Sequence, residues 1–251
     1  MPSFNMGLLS EIEFAKRHFD FIEITLKKDL KKYSKELLKK IKNKLGKFEL
    51  LGHIHWEIDL TNPEDFKKIL KNIRIYNFLG AKKITVHPST NEKLTEKEIK
   101  ARNYKSVKKI SVFCGEKNAQ LLIENVTFPP FNNVRGLKYL LEKVPSLGMT
   151  LDIGHANGIT GDIWTTYLKA LSKEIKHIHL HFNYKENDHL PFFDTHVLYK
   201  IFDQLKKSKR EFTVTLEIFR TMKGRKYIPI DGQPRREILL EQLQIIRKAD
   251  L

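Results

Sequence analysis

The chain has little cysteine, no long apolar run and fewer acids than bases. One cysteine among 251 residues, Cys114, excludes any disulfide within the chain, and its setting in SVFCGE reads as that of a buried small hydrophobe. No apolar stretch approaches the roughly 20 residues of a membrane span. The N-terminal MPSFNMGLLSEIEF lacks the basic start and long apolar segment of a secretory leader. A soluble, cytoplasmic protein with no membrane partner is expected. Glycine and proline, 12 and 9 in number, nowhere collect into a linker, so residues 1–251 are expected to form a single domain. Low-complexity sequence is absent apart from a lysine bias.

Acidic residues number 30 against 46 Lys and Arg, a formal net charge of +16. Such a field suits a polyanionic partner, with DNA the obvious case, or a phosphate-bearing substrate. Much of it is dispersed, however. In KKDLKKYSKELLKKIKNKLGK the lysines stand between apolar residues at helical spacing, as on a solvated outer helix face. Lysine and glutamate enrichment with a single cysteine also suits a thermophile.

Short β-type runs alternate with amphipathic helical runs throughout. Strands are expected at 4–6, 21–26, 48–56, 83–87, 120–126, 149–153, 175–181 and 211–219. Helices are expected at 9–18, 30–45, 63–79, 96–117, 134–142, 163–172, 195–207 and 234–248. Asn62-Pro63 followed by Glu64 and Asp65 marks a helix start, because proline is tolerated in the first turn and acids favour the positive end of the helix dipole. Gly46, Gly80 and Gly148 fall just before strands, where turns want positive φ. Eight βα units in about 250 residues predict an α/β (β/α)₈ TIM barrel of eight parallel strands with outer helices. The longer loops, 88–93, 127–133, 183–194 and 220–233, all follow strands, the side on which such barrels carry their chemistry.

Seven of the apolar runs carry an acid or histidine toward the C-terminal end: Glu23, His53, His87, Glu124, Asp152, His179 and Glu217. One such group is readily a satisfied core residue or half of an ion pair. A row of them converging on a barrel mouth calls for compensating charge, because carboxylates repel in a low-dielectric site. Glu124, Asp152, His179 and Glu217 offer the oxygen and nitrogen donors that Zn²⁺, Mn²⁺ or Co²⁺ accept. His53 and His87 can hold a second ion with Glu124 as bridge. His155, just past Asp152, and His189 and Asn187 in the loop at 183–194 can hold a third ion or meet substrate. His177, His179 and His181 share one strand face; His177 reads as a core histidine, and either His179 or His181 can ligate. His55 likewise shares the face of His53. Glu23 reads as a supporting or substrate-facing neighbour of the site.

The ordered set His53, His87, Glu124-Asn125, Asp152-Ile153-Gly154-His155, His179-Leu180-His181 and Glu217 resembles the xylose-isomerase-like barrel superfamily, over essentially the whole chain. That superfamily contains sugar isomerases, epimerases and the endonuclease IV type of abasic-site nuclease. The resemblance implies that Glu124, Asp152, His179 and Glu217 form the shared metal core. His53 and His87 match the other zinc position of the nuclease branch, and His155 and His189 its third site. The chain departs from that branch at His87-Pro88-Ser89-Thr90, at Val126-Thr127-Phe128-Pro129-Pro130, and at Asn187, where the branch carries an aspartate.

The leading expectation is a metal-dependent isomerase or epimerase of a sugar or sugar phosphate. It would use one to three divalent ions, Zn or Mn, with Glu124 and Glu217 moving a carbon-bound proton and Arg220 and Lys223 available to a phosphate. An endonuclease IV-like phosphodiesterase acting at abasic sites in DNA is the alternative, and a metal-retaining binding barrel without catalysis a third. The oligomeric state is not written in the sequence.

Overall fold

The structure is a computed structural model that describes residues 6–90, 93–160, 162–184, 187–223 and 226–248. Its contacts divide the chain into two compact units, residues 4–150 and residues 151–251 with 1–3. The division falls inside one strand, β5.

The first unit runs α1 (Met6–His18), β1 (Phe21–Thr25), a 3₁₀ turn (Leu30–Lys32), α2 (Lys35–Leu45), β2 (Glu49–His53), α3 (Pro63–Leu79), β3 (Lys83–Val86), α4 (Glu96–Gly115), β4 (Gln120–Glu124), α5 (Val134–Lys143) and the start of β5 (Gly148–Asp152). Its strands pair in chain order and in parallel, with Ile24 beside Gly52, Gly52 beside Ile84, Ile84 beside Leu121 and Glu124 beside Thr150. The runs in β4 and β5 are buried along almost their whole length, as expected of parallel strands covered on both faces. Thr85 on β3 and Thr150 on β5 bond through their hydroxyls at 2.8 Å, so both face inward past β4.

The helix starts follow the sequence signals. Asn62 accepts the N–H groups of Glu64 and Asp65 ahead of Pro63, and Thr95 forms a reciprocal capping box with Glu98. Gly46 and Gly80 adopt positive φ, +59° and +98°, after α2 and α3. In α2 the buried positions are Ile41 and Leu45, while Lys39, Lys40 and Lys42 are exposed, so this lysine-rich run is the outer face of a helix.

The second unit contains the end of β5, α6 (Ile153–Thr160), α7 (Ile163–Ala170), β6 (Ile175–Leu180), β7 (Phe182–Tyr184), β8 (Asn187–Leu190), α8 (Thr195–Lys207), β9 (Thr213–Leu216), β10 (Arg220–Lys223), β11 (Lys226–Pro229) and α9 (Gly232–Lys248). β6 and β9 pair in parallel with His179 beside Thr215. Trp164, Tyr167, Ile178, Leu198 and Ile201 are among its buried residues.

Several expectations are corrected. The strand expected at 4–6 lies outside the described residues except for Met6, which opens α1, so seven of the eight expected barrel strands are described. The helix expected at 30–45 is broken at Tyr33 and Ser34, where Ser34 caps α2. The turn at 153–160 is helical, so His155 stands on α6 rather than in a loop. The loops at 183–194 and 220–233 contain antiparallel hairpins, β7–β8 and β10–β11. Short polar strands gave these hairpins no clear hydrophobic alternation to read. Gly148 lies within β5 and does not have positive φ.

Candidate metal centre

In the first unit His53, His87 and Glu124 meet. Glu124 is fully buried at the end of β4, and its Oε2 lies 3.1 Å from Nε2 of His53 and 3.2 Å from Nε2 of His87. The two imidazoles stand edge to face with centroids 5.0 Å apart. One carboxylate oxygen faced by two ring nitrogens offers donors of the types that could hold a borderline dication. His55 is turned elsewhere: its Nδ1 accepts the N–H of Glu57 and its ring stacks on Trp56. Burial holds the pKa of His55 below the usual histidine value despite the opposing charge of Glu57.

Two residues that the sequence reading passed over hold His53. Gly52 leaves room for the ring of Tyr76 on α3, and the Tyr76 hydroxyl lies 2.6 Å from the His53 carbonyl and 2.8 Å from that of Ile24. The same hydroxyl accepts the Leu26 N–H at 3.1 Å. A glycine inside an apolar strand marks close approach by another group, and that was the available signal. Beyond β3, the side chain of buried Asn103 bonds both the N–H and the carbonyl of Ser89, each at 2.8 Å, fixing the chain just past His87.

In the second unit Asp152, His155, His179, His181, His189 and Glu217 gather. Asp152 is fully buried. Its Oδ1 accepts the His155 N–H at 2.6 Å, and its Oδ2 lies 3.2 Å from His155 Nδ1 and 3.9 Å from His179 Nδ1. His179 Nδ1 also lies 3.1 Å from Glu217 Oε2, so one ring nitrogen faces two carboxylates. Nitrogens of His155, His181 and His189 lie within 4.8 Å of one another. His177 is the core histidine expected: its two ring nitrogens meet the hydroxyls of Thr213 at 2.7 Å and Thr215 at 3.1 Å.

The hairpins supply what the sequence did not show. His189 has φ +57°, its Nδ1 lies 3.2 Å from Asp188 Oδ1, and Arg220 Nη1 approaches the same oxygen at 3.0 Å. Hydrogen bonding from His189, helped by Arg220, holds the Asp188 carboxyl at about 2 against the effect of burial. Burial by itself would lower the pKa of His189, but Asp188, Glu217 and Asp152 outweigh it and raise the value. Arg220 is thereby engaged with Asp188, while Lys223 is exposed on β10. Buried Gln242 on α9 accepts the Phe192 N–H at 3.0 Å and donates to the Phe192 carbonyl at 3.3 Å, anchoring the segment after β8. Glu23 sits partly buried in the middle of β1 in the first unit.

Parallel strands alternating with helices, with carboxylates and imidazoles at the C-terminal strand ends, define the α/β-barrel class. The chain matches the family model described as xylose isomerase-like TIM barrel over residues 12–249, and it belongs to that family. Its fold is that α/β barrel. Among solved structures it is similar to a D-tagatose 3-epimerase-like protein, with TM-score 0.73, 19% identity and 97% of each chain covered. It is also similar to a 3-keto-D-glucoside 4-epimerase from E. coli, with TM-score 0.71, 16% identity and coverage of 96% of this chain and 95% of the other. An IolI protein solved with a bound zinc atom has TM-score 0.71 and 18% identity, covering 99% of this chain and 92% of that one. At these identities the likeness is one of fold. A search of curated protein sequences gives no match. Among the described residues no helix is long and apolar enough to cross a membrane.

Proposed function

We propose that the protein is a divalent-metal-dependent isomerase or epimerase acting on a sugar or sugar phosphate. The observation that carries this reading is the arrangement of Asp152, His179 and Glu217, two carboxylates facing one nitrogen of a buried imidazole. The donor set fits a borderline dication, since oxygen and neutral nitrogen ligands at the ends of strands suit Zn²⁺ or Mn²⁺. It would also offset the charge of the fully buried Asp152. Asp152, His179 and Glu217 are the proposed ligands, with Glu124 the fourth. Glu124 enters the set through the family pattern.

When bound, such an ion polarises adjacent carbonyl and hydroxyl oxygens of a sugar. The chain's own residues then do the rest. Glu124 and Glu217 are the proposed proton carriers: one carboxylate takes a proton from carbon, the electron pair moves into the neighbouring carbonyl, and a carboxylate returns a proton to carbon. His53 and His87 orient Glu124, and the burial of Glu124 excludes water from its base. Epimerase chemistry in structural neighbours supports the class. The test is solvent deuterium entering a ketose or its phosphate during incubation with zinc- or manganese-loaded protein. Complete absence of exchange across a panel of ketoses and their phosphates would remove this reading.

A second reading, an endonuclease IV-like phosphodiesterase acting at abasic sites in DNA, draws on the two ring nitrogens of His53 and His87 facing Glu124 and on the clustering of His155 and His189. Two or three ions per chain by elemental analysis, together with cleavage of a duplex containing one abasic site, would put it first.

A further inference from the structure

Three histidines, His177, His179 and His181, project from one side of β6 and the residue after it, and their chemistry differs. We propose that His181 is a positioning residue for Asp152 and not a metal ligand, because the N–H of His189 fixes its proton on Nε2. This rests on the reading of Asp152 as a metal ligand.

The backbone N–H of His189 points at His181 Nδ1 with a separation of 3.0 Å. A peptide N–H can only donate, so Nδ1 must present its lone pair and the proton of the neutral ring sits on Nε2. That nitrogen lies 3.1 Å from both Oδ1 and Oδ2 of Asp152. His181 therefore donates to the carboxylate. Ligation through Nε2 would need the lone pair there and the proton on Nδ1, directly against the His189 N–H.

The ring cannot swivel out of this arrangement. A Cβ added to Gly154 would fall 2.1, 2.3 and 2.5 Å from Cε1, Nδ1 and Nε2 of His181, so only glycine in Asp152-Ile153-Gly154-His155 admits the imidazole. Its other face stacks on His189 at 4.3 Å and 10°. Asn183 on β7 donates to the Gly154 carbonyl at 2.8 Å, tying the hairpin to the same turn. The positive φ of His189 is an unfavourable conformation for a residue with a side chain, and here it accompanies the N–H that fixes His181. Buried, with both nitrogens occupied, His181 links the β7–β8 hairpin to the orientation of Asp152.

Two consequences separate this from ligation. Of the three histidines, His179 alone supplies a nitrogen to the ion. The trio His155, His181 and His189 is also reduced to two nitrogens, with Asp188 engaged by Arg220, which weighs against a third ion.

The experiment is ¹⁵N-histidine NMR of the full chain, metal-free and loaded with ¹¹³Cd²⁺, beside zinc titration of His181→Ala and His181→Gln. The expected spectrum has His181 as the Nε2–H tautomer in both states, with cadmium coupling to the ring of His179 and none to His181. The alanine variant should bind zinc roughly 10–100-fold more weakly, as for other residues that orient ligands. The glutamine variant, which keeps a side-chain N–H donor, should recover most of that loss. Cadmium coupling to His181, an Nδ1–H tautomer, or equal loss in both variants would overturn the proposal. The metal-free spectrum needs no variant to fold. If wild-type protein binds neither zinc nor cadmium, the metal reading fails, while the tautomer is still decided by that spectrum.

Discussion

The ring of Tyr76 lies against Gly52 so closely that a Cβ on the glycine would meet three ring atoms at 2.8 to 2.9 Å. The tyrosine hydroxyl then reaches the His53 carbonyl one residue on. Helix α3 thus sets where β2 presents its histidine. Gly52→Ala should push Tyr76 away and cost about 1–3 kcal/mol, as overpacking of a filled core does. Tyr76→Phe keeps the ring but strips buried carbonyls of their donor, for a loss of similar size. Thermal or urea denaturation reads both, and an unchanged midpoint in Gly52→Ala would contradict the packing argument.

Glu124 is the residue on which the first unit's two site histidines converge. Glu124→Gln keeps the shape and removes the charge. Metal content per chain should fall, and sugar proton exchange should drop roughly 10²–10⁴-fold, the range associated with loss of a general acid or base. Elemental analysis and deuterium incorporation measure the two separately. Retention of both would remove Glu124 from the centre.

Cys114 is fully buried in α4, and burial pushes its thiol up to about 12. Because the thiolate is the reactive form, a disulfide reagent at neutral pH should leave the folded protein untouched and titrate one thiol after denaturation. Rapid modification of native protein would show that α4 opens.

Asp65, at the start of α3, accepts the Asp59 N–H at 3.2 Å and faces Lys68 Nζ at 2.6 Å. Burial alone would raise its pKa, but the Lys68 ammonium and the Asp59 N–H outweigh it and hold the carboxyl below its ordinary value. A depressed folded-state pKa gives stability that is present above the unfolded value of about 4 and is lost as pH falls through the folded value. Asp65→Asn should therefore cost about 1 kcal/mol at pH 7. The gap to wild type should close as the medium is acidified below pH 4. A gap independent of pH would assign the effect to packing.

The sequence by itself determined the alternation of strand and helix, the helix start at Asn62-Pro63, and which residue types stand at the strand ends. These are local matters: hydrophobic period, capping chemistry and the rarity of charge inside apolar runs leave marks in neighbouring residues. It also exposed the histidine row at 177, 179 and 181 and read His177 as its core member, leaving His179 and His181 open. Tertiary structure decided the rest. His177 goes to two threonines from β9, His55 turns to Glu57 while His53 faces Glu124, and Asp188 is taken up by Arg220 from another hairpin. Each of these choices depends on which donor, acceptor or missing Cβ comes within a few ångströms in space. The chain states little of that locally, since apart from Glu57 beside His55 the partners lie on different elements, and a ring nitrogen takes its role from whatever faces it.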